Sequence, residues 1–577
     1  MTSQPARGRV FLIPLAALVA VLPLILHGCS CGHDFDFHLL TWMEAARQFS
    51  HGNLHPHWAF SPAFNAGEPR FVFYPPLSWY LGALLGLLLT HLPGITPAAA
   101  WTAAPILFTW IALTASGFTM HRLARSFTSE SAAQLAATLY LANPYLLFTA
   151  FERSAYGELL AAAWIPLLLH SILRDRVSIP GTALPVALLW LTNVPAAILG
   201  SYALALLAAS RMASTFRPGA SPLALEMRQT RHKLSLQLAS RTLTGFLLGL
   251  ALAAFYLIPA SYQRRFVQIA MATIADLRID HNFLFEHTGT SPDALLHDQV
   301  LHSASLIAVL LLGANAALLV LVAVQRMRRS ASPSFPVLPL AVLIGLVAFL
   351  LTPLSSFLWS HAPEAAFLQF PWRLLLAVAP VFALAAAFAL DRLPIKLATT
   401  SLAAIGVAAA LTIPAYHLFR QPCDPADTAP ARLALFQSSV GADPTDEYTP
   451  TNADNDALKP NNPPYWLDDS PTAPAPASTH PGSAPMHLGL VAPHATNLIL
   501  NLRDYPAWRI TLNGAPDPTR EPRPDGLIAI PIPAGPSTLG LRYAHTFDQL
   551  LGDAVSLLAF VILAVALRSS SKPRSAS

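Results

Sequence analysis

Residues 27–42 read HGCSCGHDFDFHLLTW. Three His, two Cys and two Asp stand together here, between an apolar run and an amphipathic one. Three chemistries suit the stretch. Leu26-His27-Gly28-Cys29 has the outline of a lipoprotein cleavage box, although His27 stands where a small or aliphatic residue is usual. Cys29, Cys31, His33, Asp34, Asp36 and His38 are all metal-ligating types. The C-x-C spacing lacks the second pair of a structural zinc site, which leaves a hard cation, Mg2+ or Mn2+, on Asp34 and Asp36. Third, Asp34 and His38 are four residues apart and share one helical face, as a carboxylate base beside an imidazole would. Asp36 points elsewhere and is placed to cap the helix that follows. In that helix Leu39, Leu40, Met43, Ala46 and Phe49 form an apolar stripe, with Glu44, Arg47 and Gln48 on the other side. This predicts a helix lying along a membrane surface.

The rest of the chain supplies the setting. It has 577 residues, 54% hydrophobic and 11% charged, with a mean hydropathy of +0.47. Soluble domains carry about 25% charged residues, so this is the composition of a multi-span membrane protein. The formal net charge is only +4, and the basic residues sit in short clusters between apolar runs, which argues against a nucleic-acid partner. Three cysteines, Cys29, Cys31 and Cys423, are too few for a disulfide framework.

A span needs about 20 mostly apolar residues. Such runs occur at 9–27, 99–120, 132–150, 155–173, 243–262, 303–324, 335–353, 371–390, 396–416 and 549–567. The run 182–209 is uncharged and interrupted at Asn193-Val194-Pro195, which predicts two short helices meeting at a turn. The run 73–92 opens with Pro75-Pro76 and ends at His91-Leu92-Pro93-Gly94. Basic clusters follow Arg7, Arg122, Arg174, Arg211, Arg326 and Arg568. All fall on the cytoplasmic side if 73–92 does not cross and lies at the outer face. The expectation is about 12 spans with both ends inside. The segments 28–72, 151–154, 263–302 and 417–548 then lie outside, with Arg264 and Arg265 as a mild exception.

Residues 1–420 therefore read as a transmembrane domain with 28–72 as its first outer loop. Residues 421–485, rich in Pro, Ala and Asp, read as an extended or poorly ordered linker. Within 486–547, TNLILNL, AWRITLNG, LIAIPIPAG and TLGLRYA alternate like strands between turn sequences, predicting a small antiparallel β-sandwich. Residues 548–577 read as a last membrane helix and a basic cytoplasmic tail. The fold class is an all-α polytopic membrane protein with a small extracytoplasmic β domain.

GHDFDFHL (32–39), followed by HPHWAFSPAFNAGEPRFVFYPPLSWYLGALLG (55–86), resembles the first outer loop of bacterial C-type (GT-C) membrane glycosyltransferases. It looks most like the group labelled 6-pyruvoyl-tetrahydropterin synthase-related membrane proteins. NPYLLFTAFERSAYGELLAAAWIPLLL (143–169) resembles the group's second outer turn, with Arg153, Tyr156 and Glu158 in place. FLQFPWRLLL (367–376) and EYTP (447–450) resemble two further signatures, though a Leu is commoner where Thr449 stands. The resemblance implies a GT-C-like fold and inverting transfer of a sugar from a polyprenyl-phosphate donor. The acceptor would be a glycan, lipid or protein, at the outer face of the bacterial inner membrane. It gives Asp34 the role of base, with Asp36 second. Glu158 would stabilise positive charge in the transition state or help position a metal. Arg153 and Arg373 are implied to hold the leaving phosphate, with His38 beside them. Arg70, Tyr74 and Tyr80 would line the groove where the lipid enters. His55 and His57 read as solvated loop residues. Asp276, Arg278, Asp280, His281 and Glu286 form a charged loop that would close over the site as a lid.

Two other classes share much of this pattern. A transporter or flippase of lipid-linked sugars would place ionisable residues near the bilayer midplane on broken helices. Here the charges crowd at the outer boundary, and the broken run 182–209 carries none. A non-catalytic scaffold would tolerate loss of Asp34.

Overall fold

The computed structural model describes residues 11–215, 224–273, 278–328, 335–392, 400–468 and 482–571. Arg7, Asp276 and parts of the basic segments near 217 and 329 lie outside these. The chain begins with α1 (Leu12–His27), α2 (Phe35–Ser50), α3 (Arg70–Phe73), α4 (Pro76–Thr90) and α5 (Pro97–Ala124). The apolar run after it is broken at Asn143 into α6 (Glu130–Leu141) and α7 (Pro144–Phe151). Asn143 caps α7 through the N–H of Tyr145, and Pro144 suits the first helical position. Then come α8 (Tyr156–Ala161), α9 (Ile165–Leu173), α10 (Ile179–Trp190), α11 (Val194–Thr215), α12 (Ala224–Leu252) and α13 (Ala254–Gln263). The helical body closes with α14 (Pro292–Arg328), α15 (Val337–Leu350), α16 (Ser356–Ser360), α17 (Leu375–Leu390) and α18 (Thr400–Phe419). Beyond it lie α19 (Ala429–Phe436) and, after the β domain, α20 (Phe547–Ser571).

Among the described residues, six helical segments are long and apolar enough to cross a membrane, and eight if each of two bent pairs counts as one span. The bends are 72° between α12 and α13 and 96° after α15. This is a multi-pass membrane protein. The run 182–209 breaks at its Asn-Val-Pro turn, but α11 has 22 residues and is a full span length, not a short helix. Helix α4 has 15 residues and packs on α2.

The segments expected outside meet at one end of the body. Asp34 N–H donates to the Arg153 carbonyl (2.8 Å), Gln421 Nε2 to Glu152 (2.6 Å) and Tyr505 Oη to Gln263 (2.7 Å). The basic clusters gather at the other end. There Arg211 bonds the Ile172 and Arg174 carbonyls, and Arg241 the Val177 carbonyl.

Three expectations are corrected here. The stretch 421–468 is not an extended linker. It runs over the first outer loop as an ordered strap. A Cys31–Cys423 disulfide pins its start. Further along, Asn65 Nδ2 donates to the Ser439 carbonyl (3.0 Å), Ala442 N–H to Ser61 O (2.9 Å), and Thr445 N–H to Glu68 (3.0 Å). Its composition concealed this because polar and backbone bonds to distant residues, not an apolar stripe, hold it down. As a result α2 does not lie on a surface. It is covered by α4 and α19, and the supposed solvent-facing Glu44 is 1% exposed, accepting from Arg47, Gln48 and Ser61 N–H. His57 is likewise buried, stacked on Tyr543 beside His55 and His545, and burial with these neighbours pushes its pKa down to about 3.

The β domain starts within the strap. Its strands are β1 (Tyr465–Leu467), β2 (His487–Ala492), β3 (Thr496–Arg503), β4 (Trp508–Leu512), β5 (Ala515–Pro516), β6 (Leu527–Ile532) and β7 (Gly535–Tyr543). They form two antiparallel sheets, ordered β1-β3-β6 and β2-β7-β4-β5, around a shared core that includes Leu500, Trp508, Ile530 and Leu541. Asn513 and Gly514 both take positive φ in the tight β4–β5 turn, as the Asn-Gly pair suits. Strand β3 is buried on both faces from Leu498 onward. One face meets the second sheet, while Ile499 packs with Ala63 and Ala66 of the first outer loop.

Candidate functional site

The loop before α2 lies directly on the turn after α7. A Cβ on Gly32 would stand 2.3 Å from the Glu152 carbonyl oxygen, so only glycine permits this approach. Gly32 N–H donates to Ser154 Oγ (3.2 Å), and Ser154 Oγ donates to the Ser30 carbonyl (2.9 Å). These bonds and that from Asp34 N–H set Asp34 at the cap position of α2. Its carboxylate makes no capping bond and stays about one-third exposed. His33 Nδ1 lies 3.1 Å from it and Arg153 Nη2 3.8 Å. Burial pushes the Asp34 carboxyl up. The His33 hydrogen bond and the charges of Arg153, His33 and His38 outweigh this and hold it well below the usual carboxylate range. Burial drives His38 down to about 4 despite Asp34 and Asp36, so its ring is neutral at physiological pH.

Glu158, in the first turn of α8, is 2% exposed. Tyr145 Oη donates to it. Arg153 Nη1 donates at 2.6 Å, and Arg373 Nε approaches to 3.6 Å. Arg153 lies over the Trp372 ring (4.8 Å) and Arg373 over Phe370 (4.9 Å), with the two rings stacked. Arg373 Nη1 donates to the Leu368 carbonyl and Gln369 Oε1. Its buried Nε has no hydrogen-bond partner among the described residues. One buried carboxylate thus holds two guanidiniums, and a second, accessible carboxylate stands beside them. An anion is attracted to the arginines, and a hydroxyl next to Asp34 can lose its proton there.

Asp34, Arg153, Glu158 and Arg373 come together from three distant stretches. His38 and Tyr74 adjoin them, with Tyr74 Oη 3.5 Å from His38 Nε2. Asp36 does not join. Its Oδ1 accepts from Phe37 N–H (2.7 Å) and its Oδ2 faces Arg432 (3.6 Å), while the cap position belongs to Asp34. Arg70 is also occupied elsewhere. It is buried, bonds Glu68, Thr41 and Thr445, and lies over Phe37, so it anchors the strap instead of lining a groove. Tyr80 bonds the Leu54 carbonyl. Of the expected lid, Arg278 and Asp280 pair with each other at 3.0 Å.

The metal-ligating types of the first loop do not gather at one point. Asp34 and Asp36 diverge, Cys31 is in the disulfide, and among the described residues no group of three His, Cys, Asp or Glu could hold an ion. The lipobox reading fails similarly. Cys29 is buried with its thiol on the Thr102 carbonyl (3.2 Å), and α1 packs against α5 and α18. Sequence reasoning missed Tyr145, Gln369 and Ser154. All three lie inside or beside the quoted motifs, but nothing local indicates where their side chains turn.

No family model matches the chain, and no curated protein matches it. Among solved structures it is similar to the arabinofuranosyltransferase AftD from Mycobacteria, at 15% identity over 76% of this chain and 29% of that one, with a TM-score of 0.40. It is also similar to the oligosaccharyltransferase AglB from Archaeoglobus fulgidus, in complex with an inhibitory peptide and a dolichol-phosphate (14% identity, 72% and 57% covered, TM-score 0.40). A third is ArnT from Cupriavidus metallidurans bound to undecaprenyl phosphate (15% identity, 75% and 69% covered, TM-score 0.34). The chain spans less than two thirds of the length of the first two.

Proposed function

We propose that this protein is a GT-C-type glycosyltransferase of the bacterial inner membrane. It would carry about twelve spans and act on the extracytoplasmic side, moving a sugar from a polyprenyl phosphate to a glycan, lipid or protein acceptor. The sequence resemblance motivates the reading. The observation that carries it is the pairing of Arg153 and Arg373 on one buried carboxylate, Glu158, beside the accessible carboxylate of Asp34.

The acceptor hydroxyl attacks the anomeric carbon from the Asp34 side, the bond to the phosphate oxygen breaks, and the sugar inverts. Asp34 takes the hydroxyl proton. Its low basicity suffices, because a hydroxyl becomes strongly acidic as it bonds to an oxocarbenium-like centre. The lipid phosphate leaves as an anion onto Arg373 and Arg153. Glu158 is a positioning residue, since its oxygens are already taken by Tyr145 and the two arginines.

The test is complementation of a surface-glycan defect, with transfer from polyprenyl-phosphate sugars measured in membranes. Asp34→Asn is expected to lose about 10²–10⁴-fold in kcat. Normal glycan from this variant at equal protein level would remove the catalytic assignment. A reporter fused at residue 152 is expected to report outside; a cytoplasmic signal would overturn the topology.

A further inference from the structure

Gln369 lies in the FLQFPWRLLL stretch, one helical turn before Arg373, and its backbone is unusual. Its φ is 58° and its ψ −55°, and the Phe370 N–H closes back on the Leu368 carbonyl at 2.6 Å. These are the marks of a γ-turn of the rare hand, which strains any residue that carries a side chain. Glycine would occupy the position freely. The bonds of the glutamine side chain show why the turn holds it nonetheless. Its Oε1 accepts from Arg373 Nη1 (3.1 Å), and the Leu368 carbonyl accepts from the same nitrogen (3.0 Å). Its Nε2 donates to the Ala272 carbonyl (2.8 Å), in the short segment Ile269–Thr273. The EYTP stretch of the strap holds the start of that segment. Gln268 N–H donates to the Thr449 carbonyl (2.9 Å), Gln268 Nε2 donates to the Pro450 carbonyl (3.1 Å), and Val267 bridges to Pro450. A line of bonds thus runs from the strap, through Gln369, to one guanidinium.

We infer that Gln369 is a positioning residue, a strained turn that aims Arg373 at the departing phosphate and ties that aim to the strap; the inference rests on the glycosyl-transfer reading above. Two acceptors on one Nη1, with the Phe370 ring 4.9 Å from the guanidinium, fix the plane of the group. The Nε edge is left near Glu158, at 3.6 Å, without a hydrogen-bond partner among the described residues. A neutral amide suits this role. A second carboxylate would neutralise the arginine and repel the leaving anion, whereas the amide orients the guanidinium and leaves its charge for the phosphate. Orientation matters here because misplacing a reacting or stabilising group by about 1 Å can cost about a hundredfold in rate. The same line of bonds gives EYTP a route to the chemistry without contact with the substrate.

The experiment compares Gln369→Gly and Gln369→Ala with the wild type, as full chains in lipid nanodiscs, on a panel of undecaprenyl-phosphate pentoses and hexoses. Both variants remove the side-chain bonds, and only alanine keeps the strain. Each is expected to lose about tenfold or more in kcat. In an Arg373→Gln background neither is expected to cost anything further, because the two residues act as one unit. Gln369→Gly is expected to melt above Gln369→Ala, the reverse of the usual order for these two residues. Wild-type kcat in the glycine variant, or a loss that multiplies with that of Arg373→Gln, would overturn the positioning role. An alanine variant that melts as high as the glycine one would show an unstrained turn and overturn it as well. A wild type that transfers from no donor in the panel would remove the glycosyl-transfer reading and the positioning role with it.

Discussion

The two ends of the helical body handle charge in opposite ways. At the end where the segments expected outside meet, Glu44, Glu68, Arg70, Arg153 and Glu158 are buried, and Arg70, Arg153 and Glu158 also bond side chains from another segment of the chain or from across a turn. At the inner end Arg122, Arg125, Arg174 and Arg326 are exposed. Where inner arginines bond, they mostly take backbone carbonyls, as Arg326 does from Phe335 (3.2 Å) and Arg392 from Phe388 (3.1 Å). An exposed arginine on a carbonyl is what the excess of basic residues in cytoplasmic loops leads one to expect at an inner end, and it is replaceable. A buried carboxylate shared by two arginines is costly to assemble and costly to break, so it persists where the arrangement has a use.

That contrast is open to direct test. The largest effect is expected at Asp34, whose replacement by Asn lowers kcat about 10²–10⁴-fold and also costs stability at neutral pH, since the partners that hold its pKa down favour the ionised side chain. Arg241→Ala at the inner end is expected to leave transfer within about twofold. Next in size is Arg153→Met. Removing one of its two arginines leaves buried Glu158 with Tyr145 and Arg373 alone, at a cost of up to about 3–5 kcal/mol in unfolding measured in detergent. An equal cost from Arg241→Ala would erase the distinction between the ends. Replacing Cys31 and Cys423 by Ser follows, expected to cost about 2–5 kcal/mol and to loosen the strap beside Asp34. Peptide mapping under non-reducing conditions checks the bond itself. A free Cys423 would place the strap's start in a reducing compartment and reverse the assignment of ends.

How much of this was legible in the sequence follows from how far each partner lies along the chain. Helices, strands and breaks are local. Asn143-Pro144 and Asn193-Val194-Pro195 announced their breaks, and TNLILNL through TLGLRYA announced four strands. Motif order indicated that Asp34, Arg153, Glu158 and Arg373 belong together. The strap was not legible, because Asn65 with Ser439, or Cys31 with Cys423, are pairs separated by hundreds of residues and carry no local pattern. The same ignorance misplaced Asp36 and Arg70. Each has the right chemistry in the right loop, yet Arg432 of the strap faces one and Thr445 of the strap holds the other. Strand β1 was hidden for a similar reason: three residues show no alternation until β3 lies beside them.

The smallest expected effect probes the seam between turn and strap. Glu152 is 8% exposed, and Gln421 Nε2 is its hydrogen-bond partner at 2.6 Å. Burial raises its pKa to about 7, with the Gln421 bond pulling only slightly back. A carboxyl raised in the folded state binds its proton more tightly there than in the unfolded chain. Folding is therefore least penalised below the ordinary carboxylate range, and stability falls as pH rises toward 7. Glu152→Gln holds the neutral form at every pH and can still accept from Gln421. The melting temperatures of wild type and variant are expected to agree near pH 4.5, with the variant pulling ahead up to pH 8. Asp34 cannot mimic this, because its lowered pKa acts with the opposite sign and only in acid. Parallel melting curves across that range would mean that water reaches the Glu152 carboxylate, and that the strap is not sealed against the turn that carries Arg153.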